Sequence, residues 1–311
     1  MMKVAEIIRA FPMLAFVVGE KWLQQEQPWV EDYVPPRLVW YEQLENDLTL
    51  ISEKIERQNL IRPYRSGLRD PNGAQKTMLE VHGSALLAAA AISIQLHVSR
   101  GDDSGRNFDI LVTIDDFTVN AECKTRKDDF PFNLPRQDGG ETGITGYFGK
   151  RATVDPHDAA MLGLPATRHE SNVASKETPE STTIRQIMVD AQSQLPESGI
   201  NLILFGHIEG DREQLERALF GAEVLTFYKD TERSKIVSTE WSLTPTGAFD
   251  AGQAGEPFRS ISGVLWFRLY KAGNLVRSYK LYCNPSATYP IPEAVVAILE
   301  RLMSEWTINL A

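Results

Sequence analysis

The sequence is poor in the features that mark secreted, membrane-spanning or generally polyanion-binding proteins. Two cysteines, Cys123 and Cys283, are too few for a disulfide framework and form no CxxC pair, which points to a reducing compartment. Positive charge is in deficit. With 32 Lys and Arg against 42 Asp and Glu, the net charge is −10, so no global field draws in nucleic acid or anionic lipid, and any polyanion must be held locally. Long apolar runs are missing too. Phe11 to Gly19 is interrupted by Pro12, is followed by Glu20 and Lys21, and lacks a small-x-small cleavage site; it fits neither a signal peptide nor a bilayer span. Ala85 to Ile94 is also too short, with Ser93 and Gln95 breaking it. A cytoplasmic protein is expected. No GxSxG elbow, P-loop, internal repeat or low-complexity tract occurs.

What is present suits a folded chain: 42% hydrophobic and 24% charged residues over a length of 311, enough for about two domains or one core with large additions. Residues 1–75 read as a helical N-terminal region. Leu38, Tyr41, Leu44, Leu48, Ile51 and Ile55 recur at spacings of three and four, the mark of an amphipathic helix. Pro35 and Pro36 start it, Pro63 stops its continuation, and Arg65 to Ala74, with Gly67, Pro71 and Gly73, reads as a linker. Thr77-Met-Leu-Glu80 then opens a helix with capping-box spacing, and an alanine-rich run carries it to Ala91. Three strands follow, at Ile92 to Ser99, Phe108 to Ile114 and Thr118 to Lys124, each alternating apolar with polar. Residues 125–180 are rich in breakers and form a long insertion. Ile184, Ile187, Met188, Ala191 and Leu195 mark a further helix, Asn201 to Ile208 a strand buried on both faces, and Arg212 to Phe220 a short helix. Residues 222–260 are mixed and loop-rich. Ile261 to Tyr270 and Leu275 to Cys283 form a hairpin, and Glu293 to Trp306 a closing helix.

The hairpin turning at Asp115-Asp116 carries the chemistry. An even-numbered loop there sets Asp109 directly opposite Glu122, with Lys124 projecting from the same face, and puts Phe108, Ile110, Val112 and Ile114 with Val119, Ala121 and Cys123 on the other. Alternation alone would make Asp109, Glu122 and Lys124 a wet face. Like charges directly opposite on a sheet repel, however. A divalent cation with oxygen ligands, such as Mg²⁺, removes that conflict.

Glu80 on a helix, Asp109 starting one strand and Glu122-Cys123-Lys124 ending the next resemble the signature of the PD-(D/E)XK nuclease superfamily, over about 130 residues from Thr77 to His207. Phe108 stands where the name has proline. The resemblance implies an α/β fold with a restriction-endonuclease-like core, a four-stranded mixed sheet flanked by helices. With the pattern of elements it places that core in residues 76–221 and leaves residues 222–311 as a C-terminal hairpin-plus-helix extension packed on it. It implies Mg²⁺ or Mn²⁺ held by Asp109, Glu122 and the carbonyl of Cys123. Lys124 would orient or deprotonate the attacking water. Glu80 would hold a second metal or a metal-bound water, unless it is simply the N3 acid of its capping box. Gln194 matches the glutamine that some branches carry on the helix before the fourth strand; Gln192 competes with it, and both also fit plain solvent-facing helix positions.

The implied activity is metal-dependent hydrolysis of phosphodiester bonds. The implied partner is nucleic acid, DNA in the first instance, with no membrane and with a homodimer if both strands of a duplex are cut. The alternative is a catalytically inactive nuclease-fold protein that binds protein or nucleic acid, a reading to which the net acidity lends weight. Arg126, Lys127, Arg136, Lys150 and Arg151, interleaved with Phe130, Phe132, Tyr147 and Phe148, could track a phosphate backbone, although solvated loops commonly look the same. His157 and His169 fit no zinc spacing.

Overall fold

The computed structural model describes residues 4–24, 37–70, 73–101, 105–125, 179–207, 212–220, 223–230, 235–243, 247–249, 258–271 and 274–307. The chain divides into two compact units. One comprises Met1–Leu134, Gln186–Arg212 and Phe258–Ala311; the other comprises Pro135–Arg185 and Glu213–Pro257.

The first unit is an α/β body around a mixed sheet. Its helices are α1 (Val4–Ala10), α2 (Pro12–Val18), α3 (Glu20–Gln24), α4 (Arg37–Ser52), α5 (Ile61–Arg69) and α6 (Ala74–Ala90); its first strands are β1 (Ser93–Ser99), β2 (Asn107–Ile114) and β3 (Phe117–Thr125). Helix α7 (Pro179–Gln194), which enters this unit at Gln186, leads to β4 (Ile200–His207). The sheet has six strands, not the expected four. The C-terminal hairpin supplies the other two: β7 (Gly263–Lys271) pairs in parallel with β4, and β8 (Asn274–Cys283) pairs antiparallel with β7, giving the order β1-β2-β3-β4-β7-β8. The outer faces of that hairpin could not be buried alone, and joining the sheet edge satisfies the ladder that β4 would otherwise leave open. Helix α9 (Glu293–Trp306) closes the chain over the main core through Val295, Leu299 and Met303.

The second unit contributes α8 (Glu213–Phe220) and a two-stranded sheet of β5 (Glu223–Asp230) and β6 (Lys235–Leu243). This hairpin lies in the stretch expected to be loop-rich; Val224, Phe227 and Tyr228 in one strand and Ile236, Val237 and Trp241 in the other have high strand propensity but no clean alternation. The amides of Ala248 and Phe249 close onto the last carbonyls of α8, at Ala218 and Leu219.

The short apolar run at Pro12 is a core helix. Pro12 occupies its first turn, where a missing amide costs nothing, and the carboxylate of Glu45 accepts from the amides of Met13 and Leu14 at 3.0 and 2.8 Å. At its other end, Arg65 donates to the carbonyls of Val17 and Phe16, and Arg69 to that of Val18. An acid at the N-terminus and two guanidiniums at the C-terminus match the helix dipole. Among the described residues, no helix is long and apolar enough to cross a membrane.

Two expectations about this region are corrected. The first half of the supposed linker, Arg65 to Arg69, is the end of helix α5, with Pro63 tolerated in its first turn. Gly67 lies where α5 meets α6, and a Cβ there would run into the Thr77 hydroxyl. Helix α6 in turn begins at Ala74, not Thr77. Thr77 sits a turn inside it and back-bonds to the carbonyl of Gly73 at 3.1 Å, so Thr77 and Glu80 form no capping box.

Helix α6 is the centre of the fold, buried along nearly its whole length. Glycines on both sides let it lie close on the sheet: a Cβ at Gly83 of α6 would stand 3.0 Å from Leu204 Cδ1, and one at Gly206 of β4 would stand 2.6 Å from Phe267 Cζ and 3.2 Å from Leu79 Cβ. Its buried His82 is fully partnered. Nδ1 lies 3.0 Å from Asp47 Oδ2 on α4, and Nε2 lies 2.9 Å from the Tyr279 hydroxyl on β8. Gln43 donates to Asp47 at 2.7 Å and accepts from Arg277 at 2.6 Å. Satisfied buried networks of this kind fix the register of the elements they join.

Gly206→Ala is therefore expected to destabilise the protein by about 1–3 kcal/mol through overpacking, read as a lower urea midpoint with unchanged m-value. A loss below about 0.5 kcal/mol would show that Phe267 and α6 do not close so tightly on Gly206.

Candidate functional site

The hairpin of β2 and β3 has the register expected from its two-residue turn. Ile114 pairs with Phe117, and the ladder runs back to Ile110 opposite Ala121. Asp115 takes the positive φ of 50° that the turn requires, a conformation aspartate tolerates. Phe108, Ile110, Val112, Ile114, Val119, Ala121 and Cys123 are all buried, as alternation predicted.

Beyond Ile110 the pairing changes character. The next two amides are taken by side chains: Asp109 N–H donates to Glu122 Oε2 at 3.2 Å, and Cys123 N–H donates to Asp109 Oδ2 at 2.8 Å. Each acid thus accepts a main-chain bond from the opposite strand, which binds both carboxylates where the strands part. Glu122 is only 4% exposed, so this is not the wet face that alternation alone would give. Lys124 Nζ donates to Glu122 Oε1 at 2.7 Å and to Gln194 Oε1 at 2.7 Å.

Gln194 reaches Lys124 because the end of α7 is pinned. Arg100 and Arg106 each donate to the carbonyl of Ser193 at 2.8 Å, placing positive charge where the helix C-terminus is negative. Gln192 is tied elsewhere, donating to Ser260 Oγ at 2.7 Å. Neither glutamine is a free solvent-facing residue, and of the pair only Gln194 meets the lysine.

Glu80 comes from α6. Its carboxylate, His97 and Asp109 each offer a ligand atom, and these atoms all lie within 4.8 Å of one another. His97 Nε2 stands 3.2 Å from Glu80 Oε1. The elements α6, β1, β2, β3 and α7 therefore bring Glu80, Asp109, Glu122, Lys124 and Gln194 to one place, with His97 added. The side chain of Cys123 faces away toward α6, 3.5 Å from where a Cβ of Gly83 would be. Burial pushes its thiol well above the usual range, which makes it a poor nucleophile. The basic and aromatic residues of 126–151, together with His157 and His169, lie outside the described residues.

Among the described residues, the site is short of positive charge. Burial, then the negative charges of Glu80 and Glu122, pushes the Asp109 carboxyl up to about 7, against the pull of the Cys123 amide and Lys124. Burial also raises Glu122, with Lys124 opposing it. His97 is raised chiefly by its hydrogen bond to Glu80. Among the described residues, Glu80, Asp109 and Glu122 face the Lys124 ammonium, an excess of acid that a divalent cation would offset, and Glu80 and Asp109 with the His97 imidazole are a suitable donor set. A cavity of about 510 Å³ adjoins, lined by Arg106, Asn107, Lys124, Asp190, Ser193 and Gln194.

Because the folded protein holds a proton on Asp109 that the unfolded chain gives up at an ordinary 3.8, this stabilisation is complete below about pH 4 and is lost as pH rises through about 7. Asp109→Asn keeps the shape without the charge. With metal chelated, the variant is expected to exceed the wild type in stability at pH 8 by about 1–3 kcal/mol and to show no such excess at pH 5, at a linkage of about 1.4 kcal/mol per pH unit. Urea unfolding across that range checks it; a variant less stable than the wild type at pH 8 would mean that the carboxylate is a structural anchor.

No protein-family model matches the chain, and neither the curated proteins nor the solved structures contain a significant match, so its chemistry rests on the residues themselves.

Proposed function

We propose that the protein is a divalent-metal-dependent phosphodiester hydrolase acting on nucleic acid, of the kind that the PD-(D/E)XK resemblance implies. The observation that carries the reading is Lys124, hydrogen-bonded at 2.7 Å both to Glu122 and to Gln194 beside the Asp109 carboxylate. Sheet packing alone has no need of an ammonium tied at once to an acid and to a glutamine from another element.

Asp109, Glu122 and Glu80, with the carbonyl of Cys123, would hold Mg²⁺ or Mn²⁺. Such an ion lowers the pKa of a bound water and neutralises charge on phosphate oxygens. The chain's own groups supply the rest. Glu122 and Gln194 fix the Lys124 ammonium at the wall of the cavity, where it can orient a water or offset negative charge on a phosphate. Arg106, on the same wall, adds a second cation for a neighbouring phosphate. The main-chain bonds between β2 and β3 hold Asp109 and Glu122 in place before any ligand arrives, which is the preorganisation such chemistry needs.

The net charge of −10 favours the second reading, a nuclease-fold protein that binds partners without cleaving. Purified protein incubated with single- and double-stranded DNA and RNA plus Mg²⁺ or Mn²⁺ separates the two. Cleavage is expected, reduced at least about 100-fold by Asp109→Asn, Glu122→Gln or Lys124→Ala, and about tenfold by Gln194→Ala. Cleavage that survives Asp109→Asn and Lys124→Ala removes these residues from the mechanism; no cleavage of any substrate leaves the binding protein.

A further inference from the structure

Strand β1 lies at the edge of the sheet. Its ladder with β2 pairs Leu96 with Ile110 and Val98 with Phe108, so the position between sets His97 across from Asp109. On the other side of β2, the next position past the Ile110 and Ala121 pair sets Asp109 across from Glu122. His97, Asp109 and Glu122 thus form one row across three strands. His97 departs from the strand, however. Its φ is 51°, a left-handed conformation that side chains adopt at a cost and that collects at functional sites.

The departure buys no packing, because the His97 side chain is 41% exposed while Glu80 is 12% exposed. It does aim Nε2 at Glu80, 3.2 Å from Oε1, and it puts a ring nitrogen of His97 within 4.8 Å of ligand atoms of both Glu80 and Asp109. Adjacent ligands of an octahedral ion bound at about 2.1 Å stand about 3.0 Å apart, close to the separation seen here. Among the described residues, Lys124 is the cation bonded to this set, and it is engaged by Glu122 and Gln194.

We propose that His97 is a protein ligand of the metal at this site, and that its nitrogen makes the site select Mn²⁺ over Mg²⁺. The inference rests on the reading that a divalent ion sits among Glu80, Asp109 and Glu122. Mg²⁺ prefers oxygen donors and sheds water reluctantly, whereas imidazole suits the transition metals. The exposed edge of His97 gives a metal its way in from solvent.

Pulsed EPR on the full chain loaded with one equivalent of Mn²⁺, without nucleic acid, tests it. The wild type should show a ¹⁴N coupling to Mn²⁺. His97→Gly, a substitution that the positive φ accommodates, should lose that coupling, bind Mn²⁺ at least tenfold more weakly, change Mg²⁺ affinity less than threefold, and melt no lower than the wild type without metal. His97→Asn, which also tolerates a left-handed backbone, should lose the coupling as well. Bound Mn²⁺ with no ¹⁴N coupling in the wild type, a coupling that persists in both variants, or no Mn²⁺ binding at all would overturn the assignment. Nucleic-acid cleavage measured in parallel keeps the two readings apart. Mn²⁺ held through His97 without cleavage sinks the nuclease and supports the ligand. Cleavage with Mn²⁺ affinity unchanged in His97→Gly sinks the ligand and leaves the nuclease.

Discussion

The structure depends on one exchange: where β2 and β3 part, main-chain amides are given to carboxylates instead of to carbonyls. Asp109 N–H bonds Glu122, and Cys123 N–H bonds Asp109. Each bond satisfies a buried donor, which makes the arrangement tolerable. Each also holds an acid close to another acid in a poorly solvated place, which raises Asp109 toward neutrality. A sheet built only for stability would continue its ladder and bury apolar groups there.

The remainder of the first unit holds that unfavourable cluster still. Helix α6 carries Glu80 and lies tightly on the sheet at Gly83 and Gly206. It is tied through His82 to α4 and β8. On the other side, the end of α7 is held by Arg100 and Arg106, so that Gln194 reaches Lys124. The positive φ of His97 is a second local cost in the same row. Strain and buried like charge at one point, with packing and hydrogen bonds around it, are what a preformed binding site looks like in energetic terms.

Most of the cluster could be read in the sequence because it lies on regular elements. Alternation and a two-residue turn fixed Asp109 opposite Glu122, and the three- and four-residue spacing of Met188, Ala191 and Leu195 placed Gln194 near the end of its helix. The choice between Gln192 and Gln194 needed tertiary structure, since it turns on where Ser260 and Lys124 lie. His97 left no signal: in an alternating strand it looks like any polar edge residue, and only its backbone conformation turns it toward Glu80. Helix α5 was hidden by Pro63 and Gly67, residues that break helices in isolation but here occupy a first turn and a close crossing. The two outer strands of the sheet read correctly as a hairpin, but local pattern says nothing about which edge a hairpin will join.

The central claim is that these buried acids are kept for a cation. Crystals grown with Mn²⁺ and measured at an anomalous wavelength test it most directly. The account predicts one strong anomalous peak about 2.1 Å from carboxylate oxygens of Asp109 and Glu122. A fully ordered site without a peak, with Asp109 still bonded to the Cys123 amide and Lys124 to Glu122, would contradict it and leave the acids as a structural feature of the sheet.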